Sequence, residues 1–500
     1  MEIRKMNVVV VLVLTSIGVI QANTFHFPDN FSFGVATAAY QIEGGWNKSG
    51  KGENIWDRIT HKRPEWVKDG KNADIACDSY HLWKIDVQLL KQLGVDFYRF
   101  SLSWSRILPT GFSEYINWNG VRYYSDFIDE LLANDIRPVV TLYHWDLPQP
   151  LQDLGGWPNL LIASYFEDYA KVAFQLFGDR VKTWITINEP NEICDTGYGT
   201  GAAAPGIEES GTLDYLCGKT VLIAHAKAYH LYDKYYRNKQ KGEIGITIVS
   251  RWNEPKTNST RDKEAAERTM QMQFGWWAHP IFSTKGDYPL VMKERIRNMS
   301  QCQNLEESRL PKFTTNEIEY IKGSSDFMGL NHYSTWLITD DSENNCTIVS
   351  YENDMGMKNV QDPSWIPSAA SWLKDVPWGF RKLLQWIKVE YDNPLIHITE
   401  NGFADVGELH DTGRIHYHRG YLNELLNAIH LDGCKIKSYA LWSLMDNMEW
   451  QDGYTLKFGL YYVNFSDPLR TRTPKSSANF YKELIRLRRI PRDTPQLIVI

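Results

Sequence analysis

The chain has no Cys-x-x-Cys pair, no basic tract and no internal repeat. Without that spacing its six cysteines do not point to a zinc or redox centre. With a net charge of −7 and no Arg/Lys stripe, nothing marks nucleic acid as a partner. Past residues 8–20 no stretch is long and apolar enough to span a bilayer. The last residues, Gln496-Leu-Ile-Val-Ile500, are too few for a membrane helix and are not a KDEL-type signal. Low-complexity segments and interdomain linkers are also missing, so the chain reads as one long folded unit.

The N-terminus does carry an address. Arg4 and Lys5 precede the apolar run 8–20, and the small Ala22 follows. This is signal-peptide anatomy, which predicts that 1–22 is removed and that the mature domain is 23–500, secreted and free of membrane. Export gives the cysteines a setting. Cys194 and Cys217 flank a Gly/Ala-rich loop that a disulfide could close. The pairing of Cys302 and Cys346 is open, and Cys77 and Cys434 read as buried thiols. Sequons at Asn30, Asn47, Asn258, Asn298, Asn345 and Asn464 make an exported chain a glycoprotein candidate.

Short β-branched runs alternate with amphipathic stretches throughout. Strands are expected over 33–38, 97–101, 138–143, 183–188, 243–249, 327–331, 395–399 and 437–442. Helices are expected over 78–93, 123–134, 161–177, 216–238, 316–322, 380–391, 414–431 and 477–489. Eight βα units predict an α/β fold, a single (β/α)₈ TIM barrel with extended βα loops at its C-terminal face. The longest irregular stretch, 339–365, is expected to help shape the entrance to that face.

Two tripeptides stand out. Asn188-Glu189-Pro190 ends one apolar strand and Glu400-Asn401-Gly402 follows another. Two carboxylates converging at one face of a barrel suit glycosidic-bond cleavage. The aromatic content of 13%, with 19 Trp, serves either a large core or stacking under sugar rings. Further polar residues close seven of the eight strands: Gln41, Arg99, His144-Trp-Asp146, Asn188-Glu189, Asn331-His-Tyr333, Glu400-Asn401 and Trp442, with Glu449-Trp450 a turn later. Trp104, Trp145 and Trp184 read as core, and Asp146 and Asp446 as loop braces. His410, His416 and His418 read as a helix start, with no metal implied.

These segments, in order and at barrel spacing, resemble family 1 glycoside hydrolases, the β-glucosidase family, over the whole mature chain. The resemblance rests on Phe31-Ser-Phe-Gly-Val-Ala-Thr-Ala-Ala-Tyr-Gln-Ile-Glu43, Tyr143-His-Trp-Asp-Leu-Pro148, Ile187-Asn-Glu-Pro190, Gly329-Leu-Asn-His-Tyr333, Ile398-Thr-Glu-Asn-Gly402 and Trp442-Ser-Leu-Met-Asp-Asn-Met-Glu-Trp450. The exported form is similar to secreted insect β-glucosidases and myrosinases. It implies a retaining β-glucosidase working through a covalent glycosyl-enzyme. Glu400 matches the nucleophile and Glu189 the acid/base, with Arg99 and Tyr333 supporting the nucleophile. Gln41, His144, Asn188, Asn331, Trp442, Glu449 and Trp450 match the sugar-binding residues, and Trp372 the aromatic platform for the leaving group. No cofactor or metal is implied. The partner is a small β-glucoside, and a homodimer is left open.

Other readings use the same residues. A thioglucosidase acting on glucosinolates keeps the nucleophile. Plant enzymes of that type replace the acid by Gln, whereas this chain keeps Glu189, as known insect thioglucosidases do. Aphid-type enzymes carry a basic pair near the aglycone sulfate, and the comparable positions here are Asp195 and Trp336. Arg251 could build a sulfate site instead. An inactive sugar-binding module would have lost one of the glutamates. An aromatic residue that often follows Asn-Glu-Pro is here Asn191, which touches the leaving-group side and leaves the chemistry alone.

Overall fold

The structure, a computed structural model, describes residues 25–342 and 345–492. The segment read as a signal peptide and the C-terminal Gln496–Ile500 run lie outside these residues.

Eight parallel strands close a barrel: β1 (Ser32–Ala36), β2 (Phe97–Ser101), β3 (Arg137–Tyr143), β4 (Thr183–Asn188), β5 (Glu243–Val249), β6 (Met328–Asn331), β7 (Ile396–Glu400) and β8 (Ile436–Trp442). Each pairs with its sequence neighbours and β8 closes on β1, with Ala36 opposite Trp442. Both faces of these strands are covered, which is why they are apolar runs such as Thr183-Trp-Ile-Thr-Ile-Asn188 rather than alternating ones. Every expected strand is present, with ends moved by no more than a residue or two.

A helix follows each strand: α1 (Ser79–Leu93), α2 (Trp118–Ala133), α3 (Ile162–Phe177), α4 (Leu213–Tyr235), α5 (Thr315–Ile321), α6 (Pro377–Glu390), α7 (Thr412–His430) and α8 (Ser476–Leu487). In α3 the buried residues Ile162, Phe166, Tyr169, Ala173 and Phe177 recur every three or four positions, the stripe a helix needs to cover a sheet. Trp104 and Trp184 belong to this core as expected: Trp104 stacks on Tyr169, and Trp184 meets Phe174 edge-on.

Two stretches differ from the expectation. Between β5 and α5 lie three unanticipated helices, Thr260–Met270, Trp276–Phe282 and Leu290–Cys302. The first is so charged that its apolar face is only Ala265, Ala266 and Met270, and it starts at a Ser259 cap bonded to the Asp262 amide. The segment 339–365 is also less irregular than its composition suggests. It completes a strand, Thr335–Asp340, and adds the helix Tyr351–Met355 and the strand Met357–Val360 of a small sheet. Its described residues do not line the cavity at the barrel mouth, so their expected share in shaping the entrance is corrected. It is a brace: Asp354 pairs with Arg309, and the Tyr351 hydroxyl donates to the Met272 carbonyl.

Cys194–Cys217 and Cys302–Cys346 are disulfides, and Cys77 and Cys434 are buried thiols. The first bond ties the segment after β4 to the first turn of α4. No helix among the described residues is long and apolar enough to cross a membrane.

One glycine is fixed by close approach. A Cβ on Gly402 would sit 2.3 Å from the Trp442 carbonyl oxygen, so only glycine lets the chain leaving β7 pass β8. Gly402→Ala is expected to destabilise the protein by about 1–3 kcal/mol. An unchanged melting temperature would contradict this contact.

Candidate active site

The C-terminal ends of the strands open into one cavity of about 490 Å³, in the size range of small-molecule sites. Glu189, just past β4, and Glu400, the last residue of β7, both line it. Glu400 is held from two sides. The Arg99 guanidinium donates to its Oε1 at 2.5 Å and the Tyr333 hydroxyl to its Oε2 at 2.7 Å. Arg99 is itself fixed by the Thr399 carbonyl, Thr141 and Asn188. This buried ion pair suits an ionised carboxylate, and losing either partner of such a pair costs about 3–5 kcal/mol.

Glu189 sits differently. It accepts one hydrogen bond, from the Asn331 amide at 2.6 Å. Burial, then the nearby Glu400 and Glu192 carboxylates, push its proton affinity well above the ordinary carboxylate range. Two carboxylates in one site thus differ in state, one paired with a cation and one favouring its proton. Such a pair can supply a nucleophile and an acid to one bond. Glu189 also has φ +49, a left-handed conformation uncommon outside glycine. Trp145 and Trp450, likewise on the cavity wall, have φ +74 and +50. Backbone strain of this kind gathers at functional sites because the surrounding packing must hold it.

One half of the cavity is built for a polar ring. Trp442 and Trp450 line it, and His144 stacks on both. The His144 ring stays neutral, because burial and then Arg99 lower its proton affinity well below the usual value. Its Nε2 lies 3.1 Å from the Asn188 amide nitrogen, so Nε2 accepts and the proton resides on Nδ1. Glu449 faces the same space. Burial, then Glu400 and Asp452, push its carboxyl up to about 8. Gln41 stands behind it, donating to Met448 and Asn447, and its buried Oε1 has no partner. Arg99, Asn188, Asn331 and Gln41 are buried beside this half and hydrogen-bond the residues that line it.

The other half has mixed chemistry. Trp372, 41% exposed, stands at the rim and meets Tyr333 edge-on. Asn191, Glu192, Asp195 and Thr196 follow Glu189, and Arg251 and Gln273 lie opposite. Among the described residues Arg251 is the only Lys or Arg side chain on the cavity wall. Its guanidinium lies over the Trp336 ring at 4.9 Å and donates from Nε to Gln273 at 3.2 Å. The segments Glu192–Thr196 and Gln271–Gly275 are both π-helical, a geometry that often marks functional sites.

Two expectations need correction. Trp145 is not core: it lines the cavity, and its indole N–H donates to the Asn188 carbonyl. Its backbone is left-handed, at φ +74, which its apolar character could not announce. Asp146 braces nothing, since its buried carboxylate oxygens have no hydrogen-bond partner and burial raises its proton affinity strongly. Asp446 does brace a loop, accepting from Lys475 and the Gly459 amide. His410, His416 and His418 have separate partners in Ser476, Asp375 and Tyr439. Among the described residues no group of three potential ligands could hold a metal. Trp56, Gln273 and Phe458 line the cavity without having been singled out. The fifth strand, for which no polar end residue was named, ends in Ser250-Arg251, and both reach the cavity.

Comparison with known proteins agrees with this geometry. Residues 23–490 match the family described as glycosyl hydrolase family 1. Myrosinase 1 of Brevicoryne brassicae is 49% identical, over 92% of this chain and 98% of that protein. The cytosolic β-glucosidase of Homo sapiens is 46% identical over the same shares. The solved structure of an aphid myrosinase superposes with a TM-score of 0.89 at 48% identity, covering 92% of this chain and 99% of that one. A rice β-glucosidase superposes with 0.87 at 40% identity, covering 92% and 98%. With its barrel, its paired glutamates and this match along nearly all its length, the chain is a glycosidase and belongs to glycosyl hydrolase family 1.

Proposed function

We propose that the protein is a retaining β-glucosidase that cleaves terminal β-D-glucosides through a covalent glycosyl-enzyme. The observation that carries this reading is Glu400, paired with Arg99 and Tyr333, sharing one cavity with the proton-retaining Glu189. Glu400 attacks the anomeric carbon, and the bond to the leaving oxygen breaks as Glu189 gives up its proton. Esterification removes the negative charge of Glu400. Glu189, with that neighbour neutralised, holds its proton less tightly and takes one from water. Water then attacks the anomeric carbon, the ester bond breaks, and Glu400 is free again.

The polar half of the cavity takes the glucose ring: Trp442 beneath it, Glu449, Gln41, His144 and Asn188 on its hydroxyls. Trp372 stacks on the leaving group. The anatomy of residues 1–22 supports export, and the sequons support glycosylation of the secreted form.

A second reading is favoured by Arg251, among the described residues the one cationic side chain on the wall of the leaving-group half. It suits an anionic aglycone, and hence a thioglucosidase acting on sulfated glucosinolates. An oriented guanidinium fork is the usual partner of a sulfate or carboxylate. Hydrolysis rates for cellobiose, an aryl β-glucoside and the glucosinolate sinigrin decide between the two. The first reading predicts that the aryl glucoside is the best substrate. A sinigrin rate above it establishes the second. Arg251→Gln is then expected to raise KM for sinigrin by about 10- to 100-fold and leave a neutral aryl glucoside within a few-fold. Equal changes would remove Arg251 from anion recognition.

A further inference from the structure

The leaving-group wall holds an ionisable cluster that the two-carboxylate chemistry leaves unused. Glu192 lies three residues past Glu189, and its amide donates to the Glu189 carbonyl at 3.0 Å. Its side chain lines the same cavity, next to Asn191. Arg251 and Asp195 line the same wall, and the charges of Glu192, Asp195 and Arg251 also act on Tyr351 of the bracing segment. Arg251 commits its Nε to Gln273 and its face to Trp336, so it offsets Glu192 by field.

Resting on the reading of Glu189 as acid/base, we propose that Glu192 is a positioning residue for the proton of Glu189. It shares one cavity wall with the acid and Arg251, and it links proton transfer at Glu189 to the charge the leaving group brings. Burial, Glu400 and then Glu192 favour the proton on Glu189. Burial also raises Glu192, while Asn191 and Arg251 hold it down, so the cluster titrates as a set. An anionic leaving group paired with Arg251 removes the guanidinium's offset. The field at Glu189 then becomes more negative and its proton is held to higher pH. The acid therefore stays loaded for the substrates that bring negative charge of their own.

The test is the pH dependence of phenyl β-glucoside hydrolysis. Glu192→Gln removes a negative neighbour, so the basic limb of kcat/KM moves to lower pH by about 0.5–1 unit. The acidic limb stays in place. Glu192→Asp keeps the charge and the parent limb, an outcome that a loss of packing would not give. The unmodified enzyme provides a check that needs no variant. The basic limb of kcat with 4-carboxyphenyl β-glucoside lies at higher pH than with phenyl β-glucoside. A basic limb that does not move in Glu192→Gln, or that coincides for the two substrates, overturns the proposal. If the unmodified enzyme hydrolyses neither glucoside, the glucosidase reading beneath it fails instead.

Discussion

Glu400→Gly is expected to lower kcat by at least about 10⁴-fold, with KM for an aryl glucoside changed far less. The side chain that goes is, among the described residues, the only carboxylate in the cavity in a salt bridge with a buried guanidinium. No neighbour can replace it as a nucleophile: Glu189 favours its proton, and burial pushes Glu449 up to about 8. The groups proposed to hold the sugar, Trp442, His144 and Gln41, stand on other strands and loops and are left in place. Steady-state kinetics with 4-nitrophenyl β-glucoside measures the effect. A loss of only ten-fold would mean that the bond is broken by another group.

Glu189→Ala should separate substrates by their leaving groups. For a poor leaving group such as an alkyl alcohol, the loss is expected to be about 10²–10⁴-fold, the range a positioned general acid contributes. For 2,4-dinitrophenolate, which needs no proton to depart, glycosylation stays fast and hydrolysis of the glycosyl-enzyme becomes limiting. Azide should then raise turnover, because the anion enters the vacated space and attacks the anomeric carbon without a base, displacing Glu400 and giving a glucosyl azide. The basis is the asymmetry between the two carboxyls, Glu400 gripped by Arg99 and Tyr333, Glu189 bonded only by Asn331. Equal losses for both classes of leaving group, with no response to azide, would take the acid role from Glu189.

Much of this site was legible because a barrel converts order along the chain into position. Each strand ends at the same face, so residues such as Arg99 and Glu400, 301 positions apart, meet by topology. The strands themselves were legible because strands buried on both faces must be apolar. What stayed hidden depends on loop geometry. Trp145 has the composition of a core residue and lines the cavity at a left-handed backbone angle. The charged helix Thr260–Met270 lacks a broad apolar stripe because it covers a small sheet at the edge of the fold rather than the barrel. Asp146 looks like any loop-bracing aspartate until its buried carboxylate oxygens are seen to have no hydrogen-bond partner. Arg251 was legible as a possible sulfate partner, and the strand-end rule that located Glu189 also applies to it, just past β5.

The stereochemistry of the first-formed product tests the double displacement most directly. Attack by Glu400, followed by water at the same centre, requires two inversions at the anomeric carbon, the course of enzymes whose carboxyls lie roughly 5–5.5 Å apart. Proton NMR of an aryl β-glucoside digest, recorded before mutarotation, should therefore show β-glucose accumulating first. Initial release of α-glucose would mean that water attacks the substrate directly, and the account of Glu400 as a covalent partner would be wrong.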